Sequence, residues 1–99
     1  MNTITFSEDY FDFMNVLIDL EFTAIKGKPF TYRLREGSVS NGCDVTVKFV
    51  QFHSEYGYND FINIEGKKWV WDGDDVEFNN EFNVTIPAWT AEQTLKLLI

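Results

Sequence analysis

The hydrophobic period of this chain changes twice along 99 residues, and that change restricts the folds open to it. Tyr10, Phe13, Met14, Leu17 and Leu20 recur at helical spacing, with Phe11 and Ile18 widening the apolar stripe. From Phe30 to Ile86 short apolar runs follow a period of two, which puts alternate side chains on opposite faces of a strand. Ala91, Leu95 and Leu98 then return to helical spacing. A helix, a run of strands and a second helix fit a two-layer α+β sandwich. The pattern predicts an antiparallel sheet of four to six strands with an N-terminal helix and a short C-terminal helix.

Local signals place the elements. Ser7 is a plausible helix cap, with Glu8 and Asp9 favourably placed in the first turn, and the helix is predicted to reach about Glu21. Met1 to Phe6 reads as an edge strand and Phe22 to Ile25 as another, followed by a turn at Lys26-Gly27-Lys28-Pro29. Phe30, Tyr32 and Leu34 alternate with Thr31, Arg33 and Arg35. Gly37 to Gly42 reads as a loop. Val45, Val47 and Phe49 alternate with Thr46 and Lys48 in the clearest strand of the chain. His53 to Asn59 is predicted to be a loop. Phe61 to Ile64 and Lys68 to Trp71 flank Glu65-Gly66-Lys67, which predicts a hairpin, with Trp69 and Trp71 lining the core and Lys68 and Val70 outside. Asp72 to Asp75 is a second expected turn. Val76 to Phe78 and Phe82 to Ile86 make one bent strand or two short ones. Pro87 ends the sheet, and Thr90 with Gln93 matches the capping-box spacing.

A chain of this length supports one core, so residues 1–99 are read as a single domain. Its ten Phe, four Tyr and three Trp bury much area per residue and argue against disorder despite the charge. Cys43 is the only cysteine, so no internal disulfide is available. The first residues carry acids rather than a basic stretch and an apolar run, and no apolar run approaches a membrane span. A cytoplasmic location is expected.

Catalytic groups are scarce. His53 and Cys43 are ten residues apart, a separation of roughly 30 Å along an extended strand. They are therefore read as a loop histidine and a packing residue, and together they fall short of a zinc ligand set. Asp72-Gly73-Asp74-Asp75-Val76-Glu77 lacks the glycine position of the calcium-binding helix-loop-helix motif and reads as a polar turn. Arg33 and Arg35 share a strand face, with Lys48 placed near them. Pairing with neighbouring acids is their expected task, and a small anion-binding patch is the alternative. No catalytic residue, metal or cofactor is assigned.

Charge carries the functional expectation. Sixteen acids face eight bases for a net charge of -8. Glu8, Asp9, Asp12, Asp19 and Glu21 stand in residues 1–25 with no base. Residues 26–54 carry a net positive charge, and the acids resume from Glu55 to Glu81. Such a chain repels nucleic acid and anionic membranes and attracts basic protein surfaces. The expectation is a small acidic inhibitor that occludes the basic site of a nucleic-acid-binding or nuclease partner. That class includes DNA mimics, bacteriophage counter-defence (anti-CRISPR) proteins and immunity proteins. Glu8, Asp9, Asp12, Asp72, Asp74, Asp75, Glu77 and Glu81 would supply charge, on the assumption that both acidic segments share one face. Tyr56 and Tyr58 would supply contact area. The alternatives are an oligomeric structural component and a carboxylate-based metal-dependent binder or hydrolase using the turn from Asp72 to Glu77.

Overall fold

Ser7 opens the first helix, α1, which spans Glu8–Asp19. The computed structural model describes residues 6–38, 40–55, 57–71 and 77–99. Ser7 adopts an extended backbone, and its hydroxyl accepts a hydrogen bond from the Tyr10 amide at 3.3 Å, satisfying one of the helix's unpaired donors. At the other end the Phe22 amide donates to Leu17 O at 2.9 Å and the Glu21 amide to Ile18 O at 3.0 Å. These two bonds form a Schellman closure. Its left-handed position falls on Glu21, at φ 68°, where glycine is the usual occupant. Tyr10, Phe13 and Leu17 are the buried face of α1.

Five strands follow: β1 (Thr23–Ala24), β2 (Thr31–Gly37), β3 (Asn41–Ser54), β4 (Gly57–Trp71) and β5 (Glu77–Pro87). They pair antiparallel in sequence order, so the sheet is a simple meander. A single 3-10 turn, Ala88–Thr90, leads into the second helix, α2, over Ala91–Leu98. The α+β architecture is the one the period changes predict, with five strands.

One face of the sheet holds the core. Leu34 of β2, Cys43, Val45, Val47 and Phe49 of β3, and Ile62 and Ile64 of β4 are buried there under α1, Ala88, Ala91 and Leu95. Phe49 is its centre, with the rings of Phe6, Tyr10, Phe13 and Tyr32 lying 5.0–6.0 Å away between centroids. These contacts explain how so short a chain closes a core without a disulfide. The opposite face has no helix over it among the described residues.

Several boundaries differ from the sequence reading. The predicted turn at Glu65-Gly66-Lys67 lies inside β4, where Gly66 pairs with Val45 on one side and Phe82 on the other. A Cβ on Gly66 would meet the backbone oxygen of Asp44 and stand 2.8 Å from Val45 Cα, so the glycine permits close strand approach rather than a reversal. The predicted loop from His53 to Asn59 is the end of the β3–β4 hairpin, with His53 opposite Tyr58. The predicted loop from Gly37 to Gly42 is a hairpin as well, in which those two glycines pair. Phe30 precedes β2 instead of starting it, with φ 56°.

Thr90 does not form a capping box. The 3-10 turn runs directly into α2, so Thr90 is already helical, and its hydroxyl donates backwards to Pro87 O at 2.8 Å. The predicted strand at Met1 to Phe6 and the turn from Asp72 to Asp75 fall outside the described residues, apart from Phe6, whose ring packs on Phe49.

β4 has 15 residues, or about 50 Å of extended chain, and sets the long axis of a molecule measuring 55 × 24 × 23 Å. Beyond the Thr31–Lys48 pair on one side and the Pro87–Phe61 pair on the other, β3 and β4 continue as a two-stranded ribbon. Tyr10 ties the base of this ribbon to the core. Its hydroxyl donates to Val50 O at 2.7 Å and reaches Phe61 O at 3.3 Å. Burial, reinforced by the Asp60 charge, pushes the Tyr10 phenol up to about 12, so it stays a donor at neutral pH.

Candidate functional site

The helix layer concentrates negative charge. Buried Tyr10, Phe13 and Leu17 point α1 at the sheet, and this leaves Glu8, Asp9, Asp12 and Asp19 exposed, with Glu21 exposed just beyond. None of these five acids has an ion pair among the described residues. The pairs found there are Arg33 with Asp44 and Glu92 with Lys96. Two apolar side chains share this outward surface. Phe11 is 55% exposed and Ile18 62%, and their spacing of seven residues puts them on one side of the helix, with Asn15 between. The result is an exposed apolar stripe bordered by carboxylates that have no ion pair among the described residues.

Two of these acids act against the helix that carries them. Asp19 is the last residue of α1, where the carbonyl end of the dipole disfavours negative charge, and the last turn holds no base. Glu21 adds a second carboxylate there, in a left-handed conformation costing about 1–2 kcal/mol for a side-chain-bearing residue.

The open sheet face is mixed in charge. Arg33, Arg35, Asp44, Thr46, Lys48, Asn63, Glu65, Lys67, Trp69, Asn79 and Glu81 lie on it by strand alternation, opposite to buried Leu34, Val45, Val47, Ile62 and Ile64. Arg33 grips Asp44 with Nε at 2.8 Å and Nη2 at 2.7 Å. That bidentate contact holds the Asp44 carboxyl below the usual range and raises the Arg33 guanidinium. Lys48 lies on the same face of neighbouring β3, two residues from Thr46, the register partner of Arg33, and has no ion pair among the described residues.

Trp69 is on this open face and not in the core. The buried pair Ile62 and Ile64 fixes the parity of β4, and the strand runs unbroken through Gly66, so the odd-numbered Trp69 emerges opposite the helices. Lys68 is on the helix side, where its ammonium donates to Ile99 O at 3.0 Å, and Val70 is 42% exposed. The ring of Trp71 lies outside the described residues.

Among the described residues, the acids taken from the two segments lie on opposite sides of the sheet. Glu81 projects from the open sheet face opposite Lys67 in register, while Glu8, Asp9 and Asp12 cover the helix layer on the other side. Asp72, Asp74, Asp75 and Tyr56 lie outside the described residues. For Tyr58 and Glu77 the described part is the backbone, opposite His53 and Trp71 respectively. Asp19 and Glu21, counted in the acidic segment but not among the expected contact residues, are exposed, and Phe11 and Ile18, expected to widen the apolar stripe, face outward because Tyr10, Phe13 and Leu17 alone make the buried face. The available signal was an acid at the wrong end of a helix and an apolar pair beyond what the buried stripe requires.

Cys43 is buried against the core, and burial, with the Glu36 charge, pushes its thiol up. It shares the continuous strand β3 with His53, so the two stay far apart. Among the described residues no group of three or more His, Cys, Asp or Glu is arranged to hold a metal ion, and no helix is long and apolar enough to cross a membrane. Comparisons with protein-family models, with curated proteins and with solved structures give no match.

Proposed function

We propose that this chain is a small protein-binding inhibitor that docks the outer face of α1 on a basic partner, and that the partner is a nuclease or another nucleic-acid-binding protein in the cytoplasm. The observation that carries this reading is the apolar pair Phe11 and Ile18, exposed among acids of α1 that have no ion pair among the described residues. A helix kept acidic for solubility alone gains nothing from two large apolar side chains in water. A docking helix uses them as anchors while the carboxylates steer the encounter and fix the register. The mechanism is occlusion: the partner's cations face Glu8, Asp9, Asp12 and Asp19 in place of phosphates, and no chemical step is required.

The test is the double variant Phe11→Ser/Ile18→Ser, measured against the partner recovered with the native protein. Ile18 faces solvent and Phe11 packs on Phe6, with ring centroids 5.2 Å apart, so the thermal midpoint is expected to fall modestly with the protein still folded at the assay temperature, while affinity falls at least tenfold. Unchanged affinity would remove α1 as the docking element.

A further inference from the structure

The row Arg35, Asp44, Lys67 runs across β2, β3 and β4 on the open face of the sheet. Both carboxylate oxygens of Asp44 are engaged by Arg33, so the central acid is already neutralised from the neighbouring row. Arg35 and Lys67 have no ion pair among the described residues. With Arg33 they set three cations around Asp44, while Glu81 stands opposite Lys67 on the same face of a protein of net charge -8.

Trp69 stands beside them and is held in place. Its indole N–H donates to Ser38 O at 2.7 Å. Its ring lies against Gly42, where a Cβ would stand 2.7 Å from a ring carbon, so the glycine lets the indole rest on the sheet. The Lys67 ammonium is 5.8 Å from the ring centroid. Arg35, Ser38, Asp44, Lys67, Trp69 and Asn79 are among the residues that line a cavity of about 710 Å³, within the range of small-molecule sites.

A positioned indole offers a stacking surface for a planar group, and a guanidinium and an ammonium next to it suit one anionic group. Glu81 opposite Lys67 sets an upper limit on negative charge, and together with the net charge it opposes a long polyanion. We infer that this corner binds a nucleoside monophosphate, with the base on Trp69 and the phosphate between Arg35 and Lys67. The phosphate comes either from a free nucleotide or from the phosphorylated end of a nucleic-acid chain. This site is on the opposite side of the sheet from α1 and does not depend on the inhibitor reading.

Heteronuclear NMR on the whole protein tests it, following the Trp69 indole resonance during titration with adenosine monophosphate, adenosine, inorganic phosphate and a trinucleotide phosphorylated at its end. A saturable shift with adenosine monophosphate is expected below about 10 mM. Adenosine and phosphate alone should bind about tenfold more weakly, and so should adenosine monophosphate to Arg35→Gln or Lys67→Gln. Both variant sites are on the open face, and their amide spectra report whether the fold is kept. A tighter mononucleotide assigns the free nucleotide as the source, and a tighter trinucleotide assigns the chain end. No saturable shift overturns the inference. So does equal affinity for inorganic phosphate, or unchanged affinity in both folded variants.

Discussion

Tyr10 shows how one residue links the core to the projecting ribbon. Its ring packs 5.0 Å from Phe49 while its hydroxyl serves carbonyls on β3 and β4 where the ribbon leaves the sheet. Tyr10→Phe keeps the ring and leaves Val50 O without its donor, so a loss of about 1–3 kcal/mol in urea-unfolding stability is expected. The native protein should also lose the Tyr10 contribution as pH rises from the unfolded value of 10.0 towards about 12, because the folded phenol is raised. The variant should lack that part of the alkaline decline. Asp44 behaves in the opposite sense. Its folded carboxyl is depressed by Arg33, so its contribution is present above the ordinary Asp range and is lost as pH falls through the lower folded value. Asp44→Asn should therefore be less stable than the native protein at neutral pH, with the gap closing in acid. A gap independent of pH would show that the ion pair is not its source.

At the scale of elements, Gly66 separates what the sequence made legible from what it did not. α1 with its Ser7 cap, the alternating strand around Val45 to Phe49 and the closing helix follow from local pattern and are all present. Gly66 has the composition of a turn, between Glu65 and Lys67, yet its role is set by the backbone of β3 passing close to it, which is a long-range fact. The continuity of β4 through Gly66 also decides which way Trp69 faces. Alternation counted from buried Ile62 and Ile64 puts Trp69 on the open face, whereas the local pattern shows only that Trp69 and Trp71 share a face and not which one. Gly66→Ala should cost about 1–3 kcal/mol of unfolding free energy, read as a lowered urea midpoint with the m-value unchanged. Tolerance of that change would mean β3 and β4 can separate locally without penalty. Thr90 fails for a comparable reason, since the 3-10 turn before it removes the extended conformation a capping residue needs. For the functional surface, the acidity of residues 8–21 was legible, but the sheet face taken by Glu81 was not, because it depends on the pairing of β5 with β4.

Over the whole molecule, charge is distributed by layer. The exposed side of α1 carries carboxylates without ion pairs among the described residues, and the open sheet face alternates cations with acids around Asp44. A two-layer fold thus presents two chemically different surfaces on its two sides. The acidic side is also where local stability rules are broken, at Asp19 and Glu21, and such departures are expected where function rather than folding selects the residue.

The double variant Asp19→Lys/Glu21→Gly separates those two demands in one measurement, with thermal midpoint and partner capture recorded side by side at low and moderate salt. Asp19→Lys places a cation at the carbonyl end of α1, worth about 0.3–1 kcal/mol, and Glu21→Gly relieves the left-handed strain. The account predicts a midpoint raised by several degrees together with loss of a stoichiometric basic partner that the native protein retains at low salt. A stabilised variant that captures the same partner with the same salt dependence would contradict it, and the acids of α1 would then serve solubility alone.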